Sequence, residues 1–175
     1  MPKYRRMLND WEAPYIQSLA ELIETQSMNT LAEWAVGYSE KKMIPIWIKY
    51  FPEDSRPQKA LDAARRCLGG EIKLAQAKPA FAECTSAARE SDASPAAQAA
   101  ARAAGQSASV IQNASHSIGL ALYGALAAAY DELGTDASWD ELEGYAAAEC
   151  REMLDALQSA AAENEPNPAK ISWKC

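Results

Sequence analysis

An all-α fold is what this sequence predicts: a compact bundle, or a short superhelical stack, of about seven helices around a central apolar helix. Three observations predict it. Apolar positions recur at three- and four-residue spacing along most of the chain, the period of a helix with one buried face. Alanine is abundant while Val and Phe are scarce; Ala loses no side-chain entropy in a helix, whereas β-branched residues do. Nothing alternates with period two over enough residues to mark a strand. At 175 residues, 49% of them apolar, the chain is expected to form one helical domain over residues 1–175. Such a domain can bury its core without metal or disulfide staples.

The first helix is expected from about Trp11 to Thr25, with Asp10 as its N-cap and Pro14 in the opening turn. Ile16, Leu19, Ala20 and Ile23 make its apolar stripe. After Asn29, a good cap, Leu31, Trp34, Ala35 and Tyr38 line one side of a helix reaching Ser39. From Glu40 to Phe51, Met43, Ile44, Ile46, Trp47 and Tyr50 cluster, and Pro45 should kink or split the helix near Ile44.

Phe51–Pro57 reads as a loop, with Asp54 or Ser55 capping a helix that stops at Gly69-Gly70. Ala60, Leu61, Ala64 and Leu68 face inward there, and Lys59, Asp62, Arg65 and Arg66 outward. A longer helix follows from Glu71 to Glu90, with a bend expected at Pro79. The next, Ala96 to Gln112, is alanine on most faces, so neighbours can approach closely while each contact buries little area.

Ser117 to Leu133 is the most apolar segment, with Leu122, Leu126 and Tyr130 as its ridge. Hydrophobic nearly all round, it is the expected centre. The last long helix runs from Ser138 or Trp139 to about Ala162, with a stripe of Leu142, Ala146, Cys150, Met153, Leu157 and Ala160. Residues 164–175 are turn-rich and expected to be irregular.

Charge is unevenly spread. The net of −7 divides into +2 for residues 1–80 and −9 for residues 81–175, and Asp131 to Glu165 holds 11 acids against one base, Arg151. Such acidity disfavours nucleic acid, whose phosphates must be met by cations. It suits a basic partner, or simply keeps the protein soluble. Glu141, Glu152 and Asp155 project to one side of the last helix and are the candidate binding face.

The basic start of the chain is not followed by an apolar stretch with a cleavage site, so no secretory signal is expected. The longest continuously apolar part, Ile118 to Tyr130, is too short to span a bilayer. A cytoplasmic location with reduced thiols is the expectation. Cys67, Cys84, Cys150 and Cys175 lack metal-ligand spacing, and one histidine cannot complete a site, so neither zinc nor another cofactor is expected.

Catalytic motifs are not evident. The chain has no Gly-rich phosphate loop, no nucleophile elbow and no Glu-x-x-His pair. His116, the single histidine, is either a pocket group or a side chain bonded at a helix start. Glu149 falls at the edge of the apolar stripe, where a carboxylate needs a donor: an arginine, a tyrosine hydroxyl or His116. Arg56 and Arg65 suit bidentate pairing with carboxylates in the middle of the chain. The tryptophans read as core, except Trp173, which must dock or lie exposed.

Several stretches in order carry a resemblance. They are Thr30–Ala35, then Ile44-Pro45-Ile46, then Phe51–Pro57 followed by Ala60–Arg65. Gly70-Glu71-Ile72, Ala87-Ala88-Arg89, Ala100–Gln106, His116–Gly119 and Ala121-Leu122-Tyr123 complete it. Over roughly Thr30 to Tyr130 the chain resembles the small all-helical immunity proteins of bacterial polymorphic-toxin systems. Cys67 departs from the pattern, where an aromatic is expected, and so does the low histidine count. The resemblance implies a cytoplasmic protein that binds and blocks a cognate protein toxin, with no reaction of its own. Two other readings stay open: a small-molecule-binding domain or enzyme with its pocket near His116, and a structural protein that forms homo-oligomers through its alanine-rich faces.

Overall fold

A computed structural model describes residues 3–173. Met1, Pro2, Lys174 and Cys175, the last of the four cysteines, lie outside the described residues. Eight α-helices are present, and no strand occurs among the described residues: α1 Pro14–Ile23, α2 Met28–Tyr38, α3 Ile44–Tyr50, α4 Arg56–Leu68, α5 Leu74–Glu90, α6 Pro95–Ala108, α7 Gly119–Leu133 and α8 Trp139–Ala160. A π-helical turn, Ser39–Met43, joins α2 to α3 without a break, so the eight helices make seven continuous rods.

That turn is how the fold accommodates Pro45. Proline has no N–H to return to the carbonyl four residues back, and its ring crowds that carbonyl. The Ile44 amide instead donates five residues back, to the Ser39 carbonyl. The expected split at Ile44 is therefore a bulge within one rod. Pro79 lies near the start of α5 and leaves that helix whole over its 17 residues.

Two of the expected caps differ. Ser27, not Asn29, caps α2, its hydroxyl accepting from the Thr30 amide at 3.2 Å. Asp10 caps no helix; its carboxylate accepts from the Glu12 amide in a turn, and α1 begins three residues later than expected, at Pro14. Ser138 does start α8 as a capping box: its hydroxyl accepts from the Glu141 amide at 3.2 Å, and the Glu141 carboxylate accepts from the Ser138 amide at 2.8 Å.

The apolar stripes of α1, α2 and α8 all face the core, save Ala160, which is exposed. α7 packs most extensively against α6 and next against α8, at the centre of the largest cluster of buried residues. The ridge on α7 is not the expected one. Leu120 and Leu126 are fully buried, whereas Leu122 is half-buried beside the N-terminal segment, its carbonyl accepting from the Leu8 amide at 2.8 Å.

α6 shares the central place, and its alanines explain why. Ala99, Ala100 and Ala103 join the large cluster around α7; Ala104 and Ala108 join a second with α4 and α5; Ala97 and Ala101 join a third with Trp47. A helix whose side chains are mostly methyl groups can lie against neighbours on several sides. Glycines allow the closest approach: a Cβ at Gly124 would stand 3.1 Å from Met43 Sδ and 3.4 Å from Ala103 Cβ. Most of the alanines of α6 are thus buried inside the fold.

Past Ala160 the chain forms no helix among the described residues, but it is tied down. The Ala169 amide donates to the Gln26 carbonyl at 2.8 Å, and Trp173 docks against Trp11 with ring centroids 5.4 Å apart, its indole N–H donating to Glu24.

Candidate functional site

The polar residues singled out in the sequence fall into separate places. Arg56, at the start of α4, makes two parallel bonds to Asp54, Nε to Oδ1 at 3.0 Å and Nη2 to Oδ2 at 2.7 Å, and reaches Glu90 at the end of α5 at 2.7 Å. Its guanidinium holds the Asp54 and Glu90 carboxyls below their ordinary values. Arg65, one face further along α4, bonds Glu40 in the π turn at 2.6 Å and Glu33 on α2 at 3.2 Å. Both arginines clasp α4 to its neighbours.

Glu149 is only 5% exposed. Of its three expected donors it takes the tyrosine: Tyr38 Oη donates to its Oε1 at 2.6 Å. Lys42 Nζ stands 3.9 Å from the same carboxylate and 3.1 Å from Glu152. This row ties the π turn and α2 to α8. Burial first, then the bond to Glu149, pushes the Tyr38 hydroxyl far above the usual tyrosine value.

The three carboxylates of the proposed binding face are not alike. Glu141 is the reciprocal cap of α8 and is engaged with Ser138. Glu152 is paired with Lys42. Asp155 is exposed, and its carboxylate has no hydrogen bond or ion pair among the described residues. Projection onto a helical wheel places all three on one side but does not show the lysine that arrives from another helix.

His116 sits in a short 3₁₀ turn, Ala114–Ile118, whose start is capped by Asn113 accepting from the Ser115 amide at 3.0 Å. It lines a cleft of about 420 Å³ between α5, α6 and that turn. Arg102 and Lys78 line the same cleft, while Arg56, Arg65 and Glu149 do not. Among the described residues no carboxylate lines it. Arg102 Nε and His116 Nδ1 are shut off from solvent and have no hydrogen-bond partner among the described residues.

Arg102 was not singled out beforehand, though a signal was available. It is the only Lys, Arg, Asp or Glu between Asp92 and Asp131, and no acid lies one helical turn either side of it. Lys78 carried no such mark.

Two buried thiols yield a pH prediction. Burial raises Cys84 and Cys150 from an ordinary value near 9 to about 12. A group that titrates higher folded than unfolded contributes its full stability below the unfolded value and loses it as pH climbs through the folded one. Tyr38 acts in the same direction above its usual value of 10. The urea midpoint should therefore hold steady from neutral pH to about 9 and fall beyond it. An unchanged midpoint between pH 8 and pH 10.5, on the order of one unit above the free-thiol value, would show that these groups are open to solvent.

Among the described residues no group of three or more His, Cys, Asp or Glu stands close enough to hold a metal ion, and no helix is long and apolar enough to cross a membrane. No match to this chain was found among curated proteins or among solved structures. One family does match. It is described as Imm-5 like putative immunity protein, and its match covers residues 21–156, from within α1 to within α8. The clasp at Arg56 and Arg65, the Tyr38–Glu149 bond and the cleft at His116 all lie inside that span, and the chain belongs to this family.

Proposed function

We propose that this chain protects the cell that makes it by binding a cognate protein toxin in the cytoplasm, and that it catalyses nothing in doing so. Membership of the family over residues 21–156 carries the reading. The contact surface is the acidic side of α8 with Asp155 at its middle and Glu152 beside it. Asp131 to Glu165 carries 11 acids and one base, and crowded like charges on one surface are relieved by a basic partner, which is also drawn in faster.

The direct test is capture of a protein from the native host, followed by expression of the captured protein in a sensitive strain with and without this chain. Restored growth supports the reading; arrest that persists at equal expression of both proteins sinks it.

The surface has its own test. Glu152→Lys with Asp155→Lys should slow association with the toxin by about tenfold while changing dissociation little. Added salt should slow the wild type, because screening acts over roughly 8–10 Å at physiological ionic strength. Glu141 is left unchanged in this variant, since losing an N-cap bond costs about 1 kcal/mol and would confuse the result. Rates unmoved by both treatments place the interface on the Arg- and Lys-bearing first half of the chain.

A further inference from the structure

The other cations drawn partly into the fold among the described residues have carboxylates to answer them: Arg56 has Asp54 and Glu90, and Lys42 has Glu152 at 3.1 Å and Glu149 at 3.9 Å. Arg102 is the departure. It is partly buried on α6, and it makes no hydrogen bond or ion pair to any described residue, its Nε included. Its Nε is shut off from water without an acceptor among the described residues, and a buried polar atom left unmatched in a native fold calls for an explanation.

The surroundings supply one. Lys78 and His116 stand on the walls of the same cleft as Arg102, so three groups that carry or can carry positive charge converge there. In a protein of net charge −7, no acid among the described residues lines the cleft. Gln106 and Gln112 add amide donors that make no bond elsewhere among the described residues. Gly119 makes room for one of them, since a Cβ there would stand 2.6 Å from Gln106 Cγ. Ser109 and Thr85 also line the cleft, but their hydroxyl protons are turned back onto the carbonyls of Gly105 and Phe81 at 2.6 and 3.2 Å. Donors thus outnumber acceptors. Phe81 and Tyr123 give the lining an apolar part.

We infer that this cleft binds a small organic phosphate, its oxoanion facing Arg102, Lys78 and His116 and its apolar body against Phe81 and Tyr123. Three acceptor oxygens on one dianionic group match several convergent donors better than a single carboxylate does. The volume of about 420 Å³ lies in the ~300–1,000 Å³ range of small-molecule pockets and exceeds what a lone phosphate fills. The ligand supplies the counter-charge that the chain withholds from Arg102. No toxin is needed for this binding, so the inference stands or falls apart from the immunity reading.

The test titrates the full chain, in chloride-poor buffer, with phenyl phosphate, inorganic phosphate and phenol, followed by calorimetry and by the arginine side-chain N–H resonances. Phenyl phosphate should bind saturably and shift the Arg102 signal, inorganic phosphate should bind more weakly, and phenol should not bind. Arg102→Gln should weaken phenyl phosphate by about tenfold or more, and Lys78→Gln, at an exposed position that cannot unfold the protein, by several-fold. Both variants should keep the wild-type denaturation midpoint, because neither side chain bonds another described residue. Absence of saturable binding up to millimolar phenyl phosphate overturns the inference. So does affinity unchanged in both variants, or equal affinity for phenyl and inorganic phosphate.

Discussion

Leu126→Ala is expected to cost about 2–5 kcal/mol of stability, the range for a leucine truncated in a core that cannot collapse around the loss. Leu126 is 0% exposed, on the helix that packs against both α6 and α8. Its surroundings leave little freedom to relax. The neighbouring α6 presents methyl groups, which cannot swing into a hole as a longer side chain can. Where longer side chains do reach α7, Met43 and Met153 lie so close to Gly124 that even an added Cβ there would stand 3.1 and 3.3 Å from them. For a chain of this size the loss corresponds to a fall in Tm on the order of 4–20 °C. Leu122→Ala, only one turn away, should cost less than half as much, since its side chain already keeps part of its contact with water. Urea unfolding of the two variants side by side decides this: equal shifts would mean that Leu122, not Leu126, belongs to the ridge.

The contrast between those two leucines shows where sequence reasoning reaches and where it stops. Periodicity located the helices, because burying one stripe on a 3.6-residue period is a local property, but it parted Ser39 from Glu40 where one rod runs through a π turn. It named the apolar α7 as central, and Leu126 and Tyr130 within it are buried as expected. On a helix that is apolar on nearly all faces, however, periodicity has no contrast left with which to rank Leu120 against Leu122. The choice is made by what packs there, and the N-terminal segment around Leu8 covers one side only partly. α6 shows the same limit from the other direction. Its alanines promised little buried area, yet ten of its residues are buried, from Ala96 to Ala108, because small side chains let three clusters meet on one helix.

For polar residues the divide is between groups that answer a local rule and groups that answer a distant partner. Ser138 and Glu141 are three residues apart, a spacing that a capping box answers locally, and Glu141, expected on the binding face, also makes the cap bonds of α8. Arg56 and Arg65 announced a need for carboxylates. Which ones they take depends on how α2, the π turn and α5 lie against α4. Arg102 was legible only as an absence, an arginine with no acid nearby in the chain, and among the described residues the fold places no carboxylate in its cleft.

Tyr38→Phe is expected to be costly for the opposite reason to Leu126→Ala: it removes one atom and leaves a charge behind. Tyr38 Oη donates to Glu149 at 2.6 Å in a site where the carboxylate is 5% exposed, and the next cation, Lys42, is 3.9 Å off and shared with Glu152. A hydrogen bond to a charged group is worth about 1.5–3 kcal/mol, and losing one partner also leaves the other desolvated. The single variant should therefore lose roughly 2–4 kcal/mol. Tyr38→Phe combined with Glu149→Met removes donor and acceptor together, and should recover much of that loss, because an apolar pair of similar volume carries no unmatched polar atom. Additive destabilisation in the double variant would show that each side chain is held by something else. The same pair of proteins separates tether from contact. If Glu149 only fastens α8 to the π turn, the refastened double variant should bind the toxin at the wild-type rate, because the neighbouring surface at Glu152 and Asp155 is unaltered. Toxin binding lost in a double variant of normal stability would instead make Tyr38 and Glu149 part of the recognition surface itself.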